Sequence, residues 1–188
     1  MAVTEAELIA GCKAGKRDLQ KALYTRFSAK MLGVCLRYTK NRDEAEDLLQ
    51  EGFIKVFHNI EHFSASGSFE GWIRKIMVNT ALESIRRRKI EFSTTDIQQL
   101  EDDYEADANV LSRLGHQELL IMIQSLSPGY QLIFNLYAVE GYQHKEIAAM
   151  LNISEGTSKS QFARARLILQ DKIKNGLIQK LSSEHGRG

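Results

Sequence analysis

At 188 residues the chain has room for one domain or two small ones, and 43% hydrophobic with 26% charged residues is the composition of a folded protein. A net charge of +1 at pH 7 is too small to hold duplex nucleic acid by overall attraction alone. No Gly-rich phosphate loop, nucleophile elbow or paired-carboxylate signature occurs, so no catalytic residue, cofactor or enzymatic activity is assigned.

One proline and few alternating β-branched runs predict an all-α fold. Leu8, Ile9 and Cys12, then Leu19, Leu23 and Phe27, then Met31, Val34, Cys35 and Tyr38 give residues 4–40 helical periodicity. Cys12 and Cys35 form no C-x-x-C pair, and no secretory or transmembrane segment is recognised, so the expectation is reduced thiols in a cytoplasmic protein. A strong helix is predicted after Asn41, a suitable N-cap, with Asp43 and Glu44 in its acidic first turn. Its buried stripe would be Ala45, Leu49, Gly52, Val56 and Ile60, with Gly52 marking the close approach of a neighbouring backbone. Asp47, Gln50, Glu51 and Ile54 form a second stripe, at i, i+3, i+4 and i+7. Solvation explains its charges but not Ile54, and the combination reads as a partner-binding surface. His58 and His62 have metal-ligand spacing but no third ligand follows, so no metal is expected.

Ser64-Ala-Ser-Gly-Ser68 is a small-residue loop, and Phe69 to Lys89 reads as one helix with Phe69, Trp72, Ile73, Ile76, Leu82 and Ile85 toward the core. Arg74, Lys75, Asn79, Arg86, Arg87, Arg88 and Lys89 occupy its remaining faces. The terminal cations suit both the negative end of the helix dipole and a phosphate clamp.

Apolar periodicity then lapses. Residues 93–116 carry one basic and six acidic side chains, a local charge of −5, between blocks of +4 (residues 1–92) and +2 (residues 117–188). This predicts a flexible acidic linker, including Asp102, Asp103 and Glu105, between two small helical domains, 1–92 and 117–188. In the second, Leu119, Leu120, Ile123 and Leu126 pattern one helix. Ser127-Pro128 restarts the next as cap and first-turn proline, and Leu132, Ile133, Leu136 and Tyr137 continue it. Residues 142–166 then follow a helix-turn-helix pattern. Ile147, Ala148 and Leu151 line the first helix, Asn152 takes the turn, Ile153 fills the joint, and Ser154 caps the second helix by accepting from the Thr157 N–H. Lys159, Ser160, Arg164 and Arg166 on that second helix are donors suited to phosphates and purine edges.

Taken in order, Asp47 to Phe57, Phe69 to Lys89 and Leu126 to Arg166 resemble the core-binding helix, the promoter-melting helix and the C-terminal promoter-binding region of bacterial sigma factors. The spacing is similar to that of the compact two-domain branch, the extracytoplasmic-function (ECF) sigma factors. The resemblance spans most of residues 5–175, and its specificity lies in the three motifs together. It implies a factor that binds core RNA polymerase, through the β′ clamp and β flap, and directs promoter-specific initiation. Asp47, Gln50, Glu51 and Ile54 would meet the β′ clamp. Ser64, Ser66, Ser68 and Asn79 would hold unstacked bases of the minus-ten element, with Arg74, Arg86 and Arg87 at the same DNA. Lys159, Ser160, Ala163, Arg164 and Arg166 would read the minus-thirty-five duplex. Ser158 departs from the valine usual at its position, which predicts weaker packing of the recognition helix, and Gln161 stands where arginine is common, removing a phosphate contact. The resemblance further implies an acidic connector lying in the polymerase cleft as a mimic of nascent RNA, against the plainer reading of a tether. It also implies an anti-sigma protein, often membrane-anchored in the family, with no membrane insertion of this chain. The rival reading, a stand-alone helix-turn-helix transcriptional regulator, would account for residues 117–175 and leave the first two motifs unexplained; a scaffold or anti-activator that merely resembles a DNA binder is a third.

Overall fold

A computed structural model of the chain describes residues 3–64, 67–87 and 116–185, with backbone alone at 116 and 176–185. Ser66, Arg88, Lys89 and the acidic connector up to residue 115 lie outside the described residues. The chain divides into two compact units, Met1–Lys89 and Ile90–Gly188. All regular structure among the described residues is helical.

The first unit consists of α1 (Glu5–Lys13), α2 (Arg17–Leu36), α3 (Arg42–Asn59) with a 3₁₀ turn at Ile60–His62, and α4 (Phe69–Arg87). Local chemistry sets the helix starts. Thr4 and Glu7 form a reciprocal capping box on α1, and the Asn41 side chain accepts from the Glu44 N–H at 2.8 Å to open α3. Helices α2, α3 and α4 pack against one another, and α1 closes over α2. Their shared core includes Leu23, Phe27, Met31, Leu49, Phe53, Val56, Phe69, Ile73 and Met77. The predicted α3 stripe is buried in full. Gly52 within it makes room for the Met77 thioether of α4, a side chain rather than the backbone expected there.

Helix α4 buries Phe69, Ile73 and Leu82 as predicted, together with Met77, Val78, Thr80 and Ala81, while Trp72, Ile76 and Ile85 are only half-buried. The reason is that α4 packs on both α2 and α3, so its covered arc is wider than a single stripe. The Thr80 hydroxyl satisfies itself inside this core by donating to the Ile76 carbonyl at 2.8 Å. Cys12 and Cys35 are free and buried, and burial pushes the Cys35 thiol up to about 12 against the opposing influence of Arg37. It is therefore a packing residue rather than a reactive thiolate.

The second unit runs α5 (His116–Gln124), α6 (Pro128–Phe134), a π-helical stretch Asn135–Val139, α7 (His144–Leu151) and α8 (Glu155–His185). Pro128 opens α6 as expected, although Ser127 makes no side-chain capping bond. Helix α8 is the spine against which α5, α6 and α7 pack. Leu126, Leu132, Ile133, Leu136, Ile147, Ala165 and Leu169 form the core.

Candidate functional site

Three groups of predicted side chains can be located on this frame. On α3, Asp47 and Gln50 are exposed and the Ile54 side chain projects into solvent at 69% exposure, so an aliphatic group stands at the centre of a polar face. Glu51 belongs to that face only in part. Its carboxylate accepts from Arg87 of α4 at 2.9 Å and lies 3.1 Å from Lys55, which in turn contacts Glu83 of α4 at 2.7 Å. Partial burial pushes the Glu51 carboxyl up, but the Lys55 and Arg87 bonds and charges outweigh it and hold the group below the ordinary carboxylate range. Neither Lys55 nor Glu83 was singled out from sequence, although their i, i+4 spacings to Glu51 and Arg87 were readable.

On α4, Asn79 is exposed on the helix's solvent side, as are Arg86 and Arg87, and Arg74 is half-buried. Phe69 and Trp72 stack with centroids 5.7 Å apart, and Phe63 meets both rings, at 5.0 and 5.3 Å. An aromatic cluster therefore adjoins the small-residue loop, with Phe63 and Phe69 buried and Trp72 alone partly exposed. Ser64 is exposed, while the Ser68 hydroxyl accepts from the Gly71 N–H at 3.0 Å and so caps the start of α4. Lys13 of α1 donates to the Phe63 carbonyl at 3.2 Å, tying down the near end of the same loop.

Between α7 and α8 the chain makes the turn its sequence specifies. Asn152 is left-handed at φ 55°, and the Ser154 hydroxyl accepts from the Thr157 N–H at 2.9 Å. Ile147 is fully buried, while Ala148, Leu151 and Ile153 are half-buried. On α8, Lys159 and Arg164 are exposed and Ser160 and Ala163 half-buried, in two i, i+4 pairs on neighbouring faces. Lys159 contacts Glu155 at 2.8 Å, and Ser160 donates to the Thr157 carbonyl at 3.1 Å. Arg166 stands apart from this group. It lies two residues, about 200° of helix, from Arg164 and its Nε is buried.

The two departures in this helix also have structural consequences. Ser158 is fully buried and its hydroxyl lies 2.9 Å from Nδ1 of His144 on α7, so a hydrogen bond joins the two helices at the position expected to weaken their packing. Gln161 is buried as well, so its side chain faces the domain interior and not a phosphate. His144 also stacks on Tyr137 at 4.2 Å, and Phe162 meets both rings, at 4.5 Å from Tyr137 and 5.8 Å from His144. Burial and the nearby Lys159 lower the His144 pKa, with Glu155 opposing, so the imidazole is neutral near pH 7. This aromatic cluster was not anticipated, because Tyr137, His144 and Phe162 come from three separate segments.

Comparison with known proteins matches each of the two units in turn. Residues 23–90 match sigma-70 region 2 and residues 116–169 match sigma-70 region 4, so both halves are accounted for in order. The chain is 35% identical over 140 residues to the ECF RNA polymerase sigma factor SigE of Mycolicibacterium smegmatis, a match covering 72% of this chain and 54% of that protein, or about half its length. It is 24% identical over 182 residues to the ECF RNA polymerase sigma-E factor of Escherichia coli, covering 91% and 95%. Among solved structures, the sigma factor RpoE in complex with the anti-sigma factor NepR from Bartonella quintana is similar with a TM-score of 0.49, at 20% identity over 82% of this chain and 96% of that one. The chain belongs to the sigma-70 family, within its ECF group. A stand-alone helix-turn-helix regulator would leave the region 2 match without a purpose.

Proposed function

We propose that this chain is an ECF-type sigma factor, a non-enzymatic subunit that joins core RNA polymerase and directs promoter-specific transcription initiation. The observation that carries this reading is the succession of a region 2 and a region 4 match on one short chain, each coinciding with a compact helical unit. Residues 1–92 would bind core and open the minus-ten element, residues 93–116 would connect, and residues 117–188 would read the minus-thirty-five element. The exposed Asp47, Gln50 and Ile54 support docking on the β′ clamp, since an exposed aliphatic among polar groups is the anatomy of an interface. The exposed Asn79 and the half-exposed Trp72 ring, backed by the buried Phe69, support capture of unstacked bases, and Lys159, Ser160, Ala163 and Arg164 support duplex readout.

Membership of the ECF group supports two further partners, the β flap and an anti-sigma protein that covers the same surfaces. No helix among the described residues is long and apolar enough to cross a membrane. The same membership supports work beside core polymerase in the cytoplasm. The deciding experiment is run-off transcription with purified bacterial core polymerase on a panel of promoter fragments. Promoter-dependent transcripts are expected only when this chain is added. Core binding without any promoter-dependent transcript would overturn the reading.

A further inference from the structure

A closed ring of four alternating charges joins the exposed face of α3 to the cationic end of α4. Arg87 Nη2 contacts Glu51 Oε1 at 2.9 Å and Glu83 Oε2 at 3.8 Å, and Lys55 Nζ contacts the same two carboxylate oxygens at 3.1 and 2.7 Å. The ring spans two surfaces with different partners. Glu51 borders the protein-docking face of Asp47, Gln50 and Ile54, while Arg87 belongs to the nucleic-acid face of α4.

We propose that this ring is a latch between the two faces. In the free protein Glu51 holds the Arg87 guanidinium, and a cationic side chain of a protein partner docking on α3 takes Glu51 over and releases Arg87 to a nucleic-acid phosphate. The identity of the two faces rests on the sigma-factor reading above.

The geometry favours movement of Arg87 over its neighbours. Its side chain is 65% exposed and its second carboxylate contact, to Glu83, is the longest of the four. Lys55 is only 30% exposed and keeps its 2.7 Å contact with Glu83 when Glu51 is captured, so no buried charge is stranded. While the ring is closed, the Glu51 carboxylate sits against Arg87 and cancels much of its attraction for phosphate. The coupling runs both ways: DNA that takes Arg87 leaves Glu51 open to the protein partner, so each ligand improves the surface for the other by the same factor.

The test uses the full chain as wild type, Glu51→Gln, Arg87→Ala and the double variant, with fluorescein-labelled oligothymidylate as the probe. Glu51→Gln should bind the probe about twofold to fivefold more tightly, the range an exposed ion pair supplies. Its salt dependence should steepen by about 0.7 in log–log slope, one added phosphate contact on single strands. The double variant should bind no better than Arg87→Ala. An unchanged affinity in Glu51→Gln, or a gain that survives in the double variant, overturns the latch. Saturating core polymerase should abolish the difference between wild type and Glu51→Gln, and a persistent difference overturns the release step. Capture of the wild-type chain by core polymerase is measured separately; its failure would overturn the sigma-factor reading, while the oligothymidylate series still decides whether Glu51 restrains Arg87.

Discussion

At the scale of single residues, the joint between α7 and α8 is held by a side-chain hydrogen bond from a buried serine. Ser158 is fully buried and reaches His144 Nδ1 at 2.9 Å, so the contact that fixes the recognition helix is polar and directional. Ser158→Ala should lower stability by about 1 kcal/mol, the net worth of one hydrogen bond, read as a lower urea midpoint at unchanged slope. Ser158→Val should not recover that loss, since it leaves the imidazole nitrogen without its partner. Arg164 is exposed on α8 and available to a base edge or a phosphate. Arg164→Ala should cost about 1–3 kcal/mol of discrimination at one base pair if it reads guanine; a phosphate contact would instead weaken all sequences alike. Binding to a panel of single-base variants of the upstream element separates the two. Asn79 offers both a donor and an acceptor from the exposed side of α4. Asn79→Ala should slow strand opening at equal promoter occupancy, seen as reduced permanganate reactivity of unpaired thymines.

At the scale of elements, the close fit of α3 on α4 turns on Gly52 and Met77. A methyl group at Gly52 would collide with the fully buried Met77 thioether, so Gly52→Ala should destabilise by about 1–3 kcal/mol. Met77→Ala should cost about 2–5 kcal/mol through the cavity it leaves. The double variant should cost less than the two together, because the new methyl group occupies part of that cavity; strict additivity in denaturant titrations would contradict the packing described. This pair also marks where sequence reading stopped. The helix faces of α3, the Asn41 and Ser154 caps and the Asn152 turn were legible because each rests on local chemistry or on the period of one helix. The true core arc of α4 was not, since burial of Val78 and Ala81 depends on having neighbours on two sides. The same limit applied to the candidate site. Asp47, Gln50, Ile54 and Asn79 could be placed on outer faces from spacing alone, whereas the Glu51–Arg87 contact joins residues 36 positions apart.

At the scale of the whole molecule, two units with separate cores share one chain whose charge is unevenly distributed. The net +1 conceals a local −5 over residues 93–116. Converting Asp102, Asp103 and Glu105 to Asn, Asn and Gln should reduce short abortive products relative to full-length RNA while leaving promoter choice intact, if those carboxylates compete electrostatically with nascent transcript. A neutral polar tether of equal length spans the same distance, so an unchanged product ratio in a run-off assay would favour a purely connecting role. The modest total charge carries its own expectation. Alone, the chain should hold promoter duplex poorly, and it should gain tight promoter binding only together with core polymerase.

The π-helical stretch at Asn135–Val139 acts on the phase of the helix. Its Glu140 N–H reaches back five residues to the Asn135 carbonyl at 2.9 Å, so the turn holds one residue more than an α-helical turn would. That extra residue sets the angle at which the chain leaves Tyr137 and enters Gly141, which is itself left-handed at φ 78°, before His144 returns beneath the Tyr137 ring. The spacing between α6 and the helix-turn-helix is therefore counted in whole residues. Removing Ala138 would take out that extra residue and let the turn close with ordinary α-helical hydrogen bonding at nearly unchanged facing, whereas the same deletion in the regular turns of α6, which have no such slack, would rotate everything downstream by about 100°.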